Sequence, residues 1–208
     1  IPAREKPPFP NKTQMDIPFF KGLDPDSAGS FGAGVLVNTT EAGATNGDGY
    51  LYIYGVRGKQ KEIIVARVKP AALDQFDQWR FWNGKSWTND INTISPIADH
   101  ASNEMSVSQL EDGRYIMVFQ EDGLSSRIGI KLGASPAGPF GEMIAIYDAK
   151  DDLRDSPNLF SYNAKAHPVL SNRGELLISY NINSFDFNTD IKKNPHLYRP
   201  RFIKLKYE

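Results

Sequence analysis

The pattern of apolar and polar positions along the chain predicts β-strands and very little helix. Short runs of alternating or continuous apolar residues recur from residue 31 onward and are closed by glycine or Asp-Gly turns. Helical periodicity is confined to the stretch 70–76, which is about two turns long. The pattern therefore predicts an all-β protein.

The predicted strands fall into three groups that align with one another. The groups open at 31–38, 104–110 and 165–171, and in each a glycine turn precedes the longest apolar strand. The three turn glycines are Gly49, Gly113 and Gly174, spaced by about sixty residues. A repeat of about three four-stranded units predicts the blades of a β-propeller, although a β-sandwich has similar strand spacing.

Three blades are too few to close a ring, because propellers have about four to eight. We therefore expect part of a five-bladed propeller, with blades at 31–95, 96–157 and 158–208. Residues 1–30 would be an N-terminal extension or the remnant of a preceding blade, with a strand around 17–20. Because the chain begins with Ile1 rather than Met, we expect it to be processed or a piece of something longer. The missing N-terminal blades would then lie on another fragment or chain.

Composition excludes several classes of function. The 24 Lys and Arg residues balance 25 Asp and Glu residues, which argues against nucleic acid or a bilayer surface as partner. The absence of cysteine excludes disulfides, thiolate metal sites and a cysteine nucleophile. No apolar run approaches about 18 residues, so no membrane span is predicted. We expect no cofactor, apart from a structural cation that His167 could hold in a central channel.

Four local motifs carry a resemblance to a known family. They are FWNGKSW at 81–87, NEMSV at 103–107, ASPAGPF at 134–140 and YNAKAHP at 162–168. In this order they resemble the C-terminal blades of a five-bladed propeller family known as a domain of unknown function, some of whose members are endo-D-arabinofuranases. The turn at 134–140 is also similar to one in arabinanase-, fructosidase- and sialidase-like propellers. The resemblance implies a secreted or periplasmic protein that acts on polysaccharide or oligosaccharide.

Glu104 is the candidate catalytic residue. It opens the first strand of the second unit, and in a propeller such strand starts converge on the central channel. A carboxylate there suits general-acid catalysis of glycoside hydrolysis. The alternative is that Glu104 caps a strand or pairs with Arg114 or Arg127. Hydrolysis typically needs two carboxylates, and the resemblance implies that other essential acids lie on N-terminal blades.

The third unit supplies candidate substrate-binding residues. Asn163, Lys165 and His167 would share one face of a strand, and their side chains could hydrogen-bond sugar hydroxyls. The alternative for His167 is a core histidine that bridges two blades. Asp99 and His100, in the loop before Glu104, could form a coupled acid–base pair or a solvated turn.

Aromatic residues at strand starts are candidate platforms for the C–H faces of a sugar ring. Tyr162 and Phe31 are the strongest of these, and Trp82 is a third whose alternative role is packing within a blade. Taken together, the sequence leaves three functions open. They are a glycoside hydrolase of the arabinofuranosidase or arabinanase kind, a propeller that binds carbohydrate without turnover, and a scaffold for other proteins.

Overall fold

The computed structural model describes residues 14–24 and 27–207. Within these residues the regular structure consists almost entirely of strands, in three antiparallel sheets. Each sheet is a meander, because its spatial strand order follows the chain. The expected all-β class is therefore confirmed.

The first sheet has five strands rather than the expected four. Short 3-10 turns at Pro70–Ala72 and Phe76–Gln78 replace the predicted helical stretch. Its strands are β1 (Gly29–Asn38), β2 (Tyr50–Arg57), β3 (Glu62–Val68), β4 (Arg80–Trp82) and β5 (Trp87–Thr88).

The second sheet has four strands and the third has three. A seven-residue helix, α1 (Phe187–Lys193), lies between the last two strands of the third sheet and was not predicted. The second sheet contains β6 (Met105–Gln109), β7 (Tyr115–Gln120), β8 (Arg127–Gly133) and β9 (Ile144–Asp148). The third contains β10 (Leu159–Ala166), β11 (Glu175–Ser184) and β12 (Arg201–Lys206).

The turn glycines that define the repeat have a common conformation. Gly49, Gly113 and Gly174 have φ values of 77°, 87° and 70°. A side chain with a Cβ rarely adopts this left-handed region, so glycine is the residue that suits these turns. The aligned glycines of the sequence are therefore equivalent in backbone geometry.

The middle sheet is covered on both faces. Every residue of β7 is buried, and alternate side chains enter different cores. Met117 and Phe119 join the core shared with the first sheet, whereas Ile116 and Val118 join the core shared with the third. A strand buried on both faces has a continuous apolar sequence rather than an alternating one.

The first strands of the three sheets, β1, β6 and β10, lie next to one another. Gly34 of β1 is so close to β6 that a Cβ on it would lie 2.8 Å from the carbonyl oxygen of Met105. On the other side of β6, the Ser106 hydroxyl accepts a 2.8 Å hydrogen bond from the amide of Ala166 at the end of β10. These two contacts join the three sheets.

Two local expectations were wrong. Residues 17–20 form no strand, and the turn that they form instead places Phe19 and Phe20 against the outer face of the first sheet. The third sheet begins earlier than expected, so its first strand ends at Ala166 and His167 follows it. Among the described residues no helix is long and apolar enough to cross a membrane.

The close approach of β1 to β6 can be tested at Gly34. Replacing Gly34 by Ala should lower the free energy of unfolding by about 1–3 kcal/mol, because the new methyl group meets a backbone carbonyl. Gly141→Ala is the matched control, since its Cβ would make only an ordinary 3.7 Å contact. Denaturant unfolding measures both variants, and equal stabilities would contradict the packing described.

Candidate functional site

The Glu104 site lies where the second and third sheets meet. Glu104 immediately precedes β6, and its charge acts on the hydroxyl of Tyr162 in β10. The Tyr162 hydroxyl donates a 3.3 Å hydrogen bond to that of Tyr198, and it also interacts with the side chain of Asn183. We call this group of Glu104, Tyr162, Asn183 and Tyr198 the Glu104 site.

The carboxylate of Glu104 is half-buried and has no hydrogen-bond or ion-pair partner among the residues that the structure describes. The two arginines considered as partners are engaged elsewhere. Arg114 pairs with Asp112 at 2.5 Å, and Arg127 pairs with Glu121 at 3.3 Å. An unpaired carboxylate beside a tyrosine is free to interact with a ligand.

Tyr162 stays protonated in this environment. Burial raises the pKa of its hydroxyl to about 12, helped by the hydrogen bond with Tyr198 and by the negative charge of Glu104. At neutral pH the group is therefore a phenol that can both donate and accept. Tyr162 therefore adds an aromatic ring and a neutral hydroxyl to the site that contains Glu104.

The polar face predicted for residues 163–167 consists of other residues than expected. A bulge interrupts the pairing of β10 with β11 between Tyr162 and Lys165, and Asn163 within it has a φ of 59°. Tyr162 and Lys165 consequently lie on the same face, opposite Asn181 and Ser179. Simple alternation of 163, 165 and 167 on one strand is wrong, because the extra residue shifts the register.

His167 nevertheless joins this face from beyond the strand end. Its Nε2 atom lies 2.7 Å from the hydroxyl of Ser179, which pairs with Lys165 across the sheet. The imidazole is half-buried, and its hydrogen bond with Ser179 lies within its own sheet. Asn163 has a buried Oδ1 atom without a partner among the described residues.

Asp99 and His100 do not form a pair with each other. The His100 ring lies 2.8 Å from Asp122, and Asp99 lies 3.1 Å from Lys131. Both loop side chains are exposed, whereas the Lys131 side chain is largely buried. Their role as catalytic partners of Glu104 stays a prediction.

Two of the predicted aromatic platforms lie away from the Glu104 site. The Phe31 ring packs at 5.7–6.0 Å from Phe19, Phe20, Trp79 and Phe81, on the outer face of the first sheet. Trp82 lies at the other end of the strands, where it contacts Trp87 at 5.2 Å. Of the three candidate rings, only that of Tyr162 is in contact with this group.

The residues that sequence reasoning missed are Tyr198 and Asn183. Tyr198 lies in a polar loop without a regular pattern, and only the return of the chain beside β10 brings its hydroxyl to Tyr162. Asn183 continues the alternating polar positions of β11, which is the signal that could have found it.

A metal-binding role is not supported by the arrangement of ligands. No group of three or more His, Asp or Glu side chains within 14–24 and 27–207 is placed to hold a metal ion. The His167 ring makes its hydrogen bond with the hydroxyl of Ser179. A structural cation at His167 stays an untested prediction.

The sequence comparison shows the family. The chain belongs to the family described as a domain of unknown function (DUF5005), whose model matches residues 32–207. No curated protein matches the chain.

Solved structures show where the fold occurs elsewhere. A protein of Bacteroides ovatus ATCC 8483, described as a "putative hydrolase", is 22% identical with a TM-score of 0.62, over 86% of this chain and 45% of its own. The alpha-L-arabinofuranosidase of Clostridium thermocellum ATCC 27405 is 10% identical with a TM-score of 0.43, over 83% and 55%. The endo-arabinase of Bacteroides thetaiotaomicron VPI-5482 is 13% identical with a TM-score of 0.42, over 83% and 48%. This chain spans about half the length of these proteins, and the first of them shares its fold.

The ion pair of His100 predicts a measurable titration. The hydrogen bond to Asp122 and its negative charge raise the pKa of the His100 ring above its usual value. The pair therefore stabilises the fold below pH of about 6.5, and this contribution is lost as the pH rises through the raised pKa.

Histidine NMR titration measures this effect. We expect Asp122→Asn to lower the pH midpoint of the His100 titration, because the negative charge of Asp122 disappears and the remaining amide oxygen is a weaker acceptor. Asp112→Asn, which removes an exposed carboxylate paired with Arg114, is the control and should leave it unchanged. An unaltered midpoint in Asp122→Asn would show that the two side chains do not interact in solution.

Proposed function

We propose that this chain is part of a glycan-processing propeller, a glycoside hydrolase of the arabinofuranosidase or arabinanase kind or the C-terminal part of one. The observation that carries the proposal is the unpaired carboxylate of Glu104 at the start of β6, the strand that contacts β10, with its charge acting on the Tyr162 hydroxyl. A free acid, a phenol and adjacent amide and amino groups are the chemistry that a sugar site uses.

The propeller interpretation is supported by the arrangement of the sheets. Three meanders follow one another in chain order with their first strands adjacent, which is how blades surround an axis. Apolar side chains also remain exposed on the outer face of the first sheet, at Val35 and Val37. A further blade, on another fragment or chain, would cover this face in a five-bladed ring.

In the proposed reaction Glu104 is the general acid. Its proton passes to the glycosidic oxygen as the bond between that oxygen and the anomeric carbon breaks, and water supplies the hydroxyl that the anomeric carbon gains. A second carboxylate either takes the other proton of this water, or first bonds to the anomeric carbon and is displaced by the water, whose proton then passes to Glu104. Asp99 and Asp122 are paired with Lys131 and His100, so we propose that this second group comes from the completing blades.

Substrate binding is assigned to the face that continues from Glu104 along the third sheet. The Tyr162 ring provides a surface for the C–H face of a sugar, and Lys165, His167 and Asn163 provide donors and acceptors for hydroxyls. Polymeric glycans are encountered outside the cytoplasm, which is why we propose secretion or a periplasmic location.

Carbohydrate binding without turnover is the second candidate function. It is favoured by the single unpaired carboxylate at this site, since hydrolysis requires two. The same aromatic ring and hydrogen-bonding groups would bind a glycan without cleaving it. The two functions differ in whether oligosaccharides are released.

The catalytic proposal is tested with the full protein and a panel of arabinans. Glu104→Gln should lower the rate of oligosaccharide release by about a hundredfold or more, because the amide cannot donate the proton. Glu142→Gln, which alters an exposed carboxylate on the edge of the second sheet, should leave the rate unchanged. Release that survives in Glu104→Gln would refute the assignment of the acid, and binding without any release would favour the second candidate.

The role of His167 is separable from its contribution to stability. His167→Ala and Ser179→Ala each remove the same 2.7 Å hydrogen bond, so each should lower the free energy of unfolding by about 1 kcal/mol. Only His167→Ala removes the imidazole, and it should also weaken glycan binding measured by calorimetry. Equal affinities in the two variants would assign His167 to the structure alone.

A further inference from the structure

A second pocket lies between the first and second sheets, at the strand ends opposite the Glu104 site. Its volume is about 380 Å³, which is within the range of small-molecule sites. Glu104 precedes the first residue of β6, whereas Gln109 at the end of the same strand lines this pocket. The length of β6 separates the two places by about 17 Å. We call this space the cross-sheet pocket.

The walls of the cross-sheet pocket come from two of the sequence motifs that the Glu104 site does not use. The hairpin FWNGKSW supplies Trp82 and Trp87, which pair across β4 and β5. The loop ASPAGPF supplies Ser135 and Pro136, and the Pro136 carbonyl accepts a 2.9 Å hydrogen bond from buried Tyr54. Both walls are therefore fixed to the sheets.

Aromatic and polar surfaces face each other in this pocket. The two indole rings are half-buried and lie 5.2 Å apart at 55°, so each retains an open part. Asp48 is held in place by hydrogen bonds from Asn38 at 3.0 Å and from the Tyr52 hydroxyl at 2.5 Å. Burial first, and then Asp48, raises the pKa of Tyr52, which keeps this hydroxyl a donor.

The polar groups of the pocket are not all satisfied by the protein. Asn38 is 2% exposed, and its Oδ1 atom has no hydrogen-bond partner among the described residues. Tyr115 accepts a 3.3 Å hydrogen bond from Gln109, and its hydroxyl also interacts with the side chain of Asn38. A buried polar atom without a partner is costly unless a ligand or water supplies one.

The charges around the pocket favour a neutral ligand over a cation. The guanidinium of Arg67 lies 4.4 Å from the centre of the Trp87 ring and 4.3 Å from that of Tyr50. Lys69 lies 3.7 Å from the Tyr50 ring as well. The Arg67 guanidinium thus occupies a face of Trp87, and the positive charges of Arg67 and Lys69 offset that of Asp48 and repel a further cation.

We propose that the cross-sheet pocket binds a neutral saccharide unit, distinct from the one bound at the Glu104 site. The open indole surface of Trp82 packs against the C–H face of the sugar ring, and Asp48, Asn38 and Tyr115 exchange hydrogen bonds with its hydroxyls. Such a site would hold a glycan to the protein away from the place of cleavage. It depends on its own residues and not on any catalytic step.

Tryptophan fluorescence is the direct readout, because two of the three tryptophans line this pocket and the third, Trp79, lies in the core on the outer face of the first sheet. The protein is titrated with D-arabinose, L-arabinose, glucose, xylose and oligosaccharides of each, and calorimetry supplies the Kd. Trp82→Ala should weaken the Kd of the bound saccharide about tenfold. Ala134→Arg, at an exposed residue of the rim, should block binding and removes no core contact.

Glu104→Gln is the matched control, and its fluorescence titration should equal that of the wild type. A full protein that binds saccharide here but releases no oligosaccharide from arabinans refutes the catalytic proposal and supports this one. The inference is overturned if no saccharide changes the fluorescence, or if both Trp82→Ala and Ala134→Arg bind as tightly as the wild type. It is also overturned if choline, the cationic probe, binds in a Trp82-dependent manner in place of the sugars.

Discussion

The burial of the middle sheet between its two neighbours is the constraint on which the rest of the structure depends. Successive residues of β7 enter opposite cores, with Met117 on one side and Ile116 on the other. Both faces must be covered, so the three sheets stack in chain order and their first strands come together. That stacking creates two junctions. The Glu104 site lies between the second and third sheets, and the cross-sheet pocket lies between the first and second sheets at the opposite end of β6.

The two places differ in how their polar groups are held. In the Glu104 site the carboxylate has no hydrogen-bond or ion-pair partner within residues 14–24 and 27–207, and Tyr162 is kept protonated mainly by burial. In the cross-sheet pocket Asp48 already accepts hydrogen bonds from several groups and is fixed in direction. A free acid can transfer a proton, whereas a fixed acceptor orients a bound hydroxyl. This contrast agrees with the two roles that we propose, which are cleavage at the Glu104 site and binding without cleavage at the cross-sheet pocket.

Buried hydrogen bonds between polar groups also hold neighbouring sheets in place. Gln120 is fully buried at the end of β7, and its amide donates a 2.8 Å hydrogen bond to Ser161 of the third sheet. The Tyr54 hydroxyl, likewise buried, joins the first sheet to a loop of the second. Such buried hydrogen bonds fix the relative position of neighbouring sheets, since leaving either partner unpaired is costly.

The sequence by itself determined the strand class, the repeat and the turns. Alternating and continuous apolar runs have short-range causes, and the positive φ of Gly49, Gly113 and Gly174 is a local requirement. Tertiary structure alone decided the bulge beside Asn163, the packing of Phe31 away from Glu104, and the meeting of Trp82 with Asp48 in one pocket. These depend on how sheets distant in sequence stack, because a register shift or a contact between sheets leaves no periodic trace in the chain.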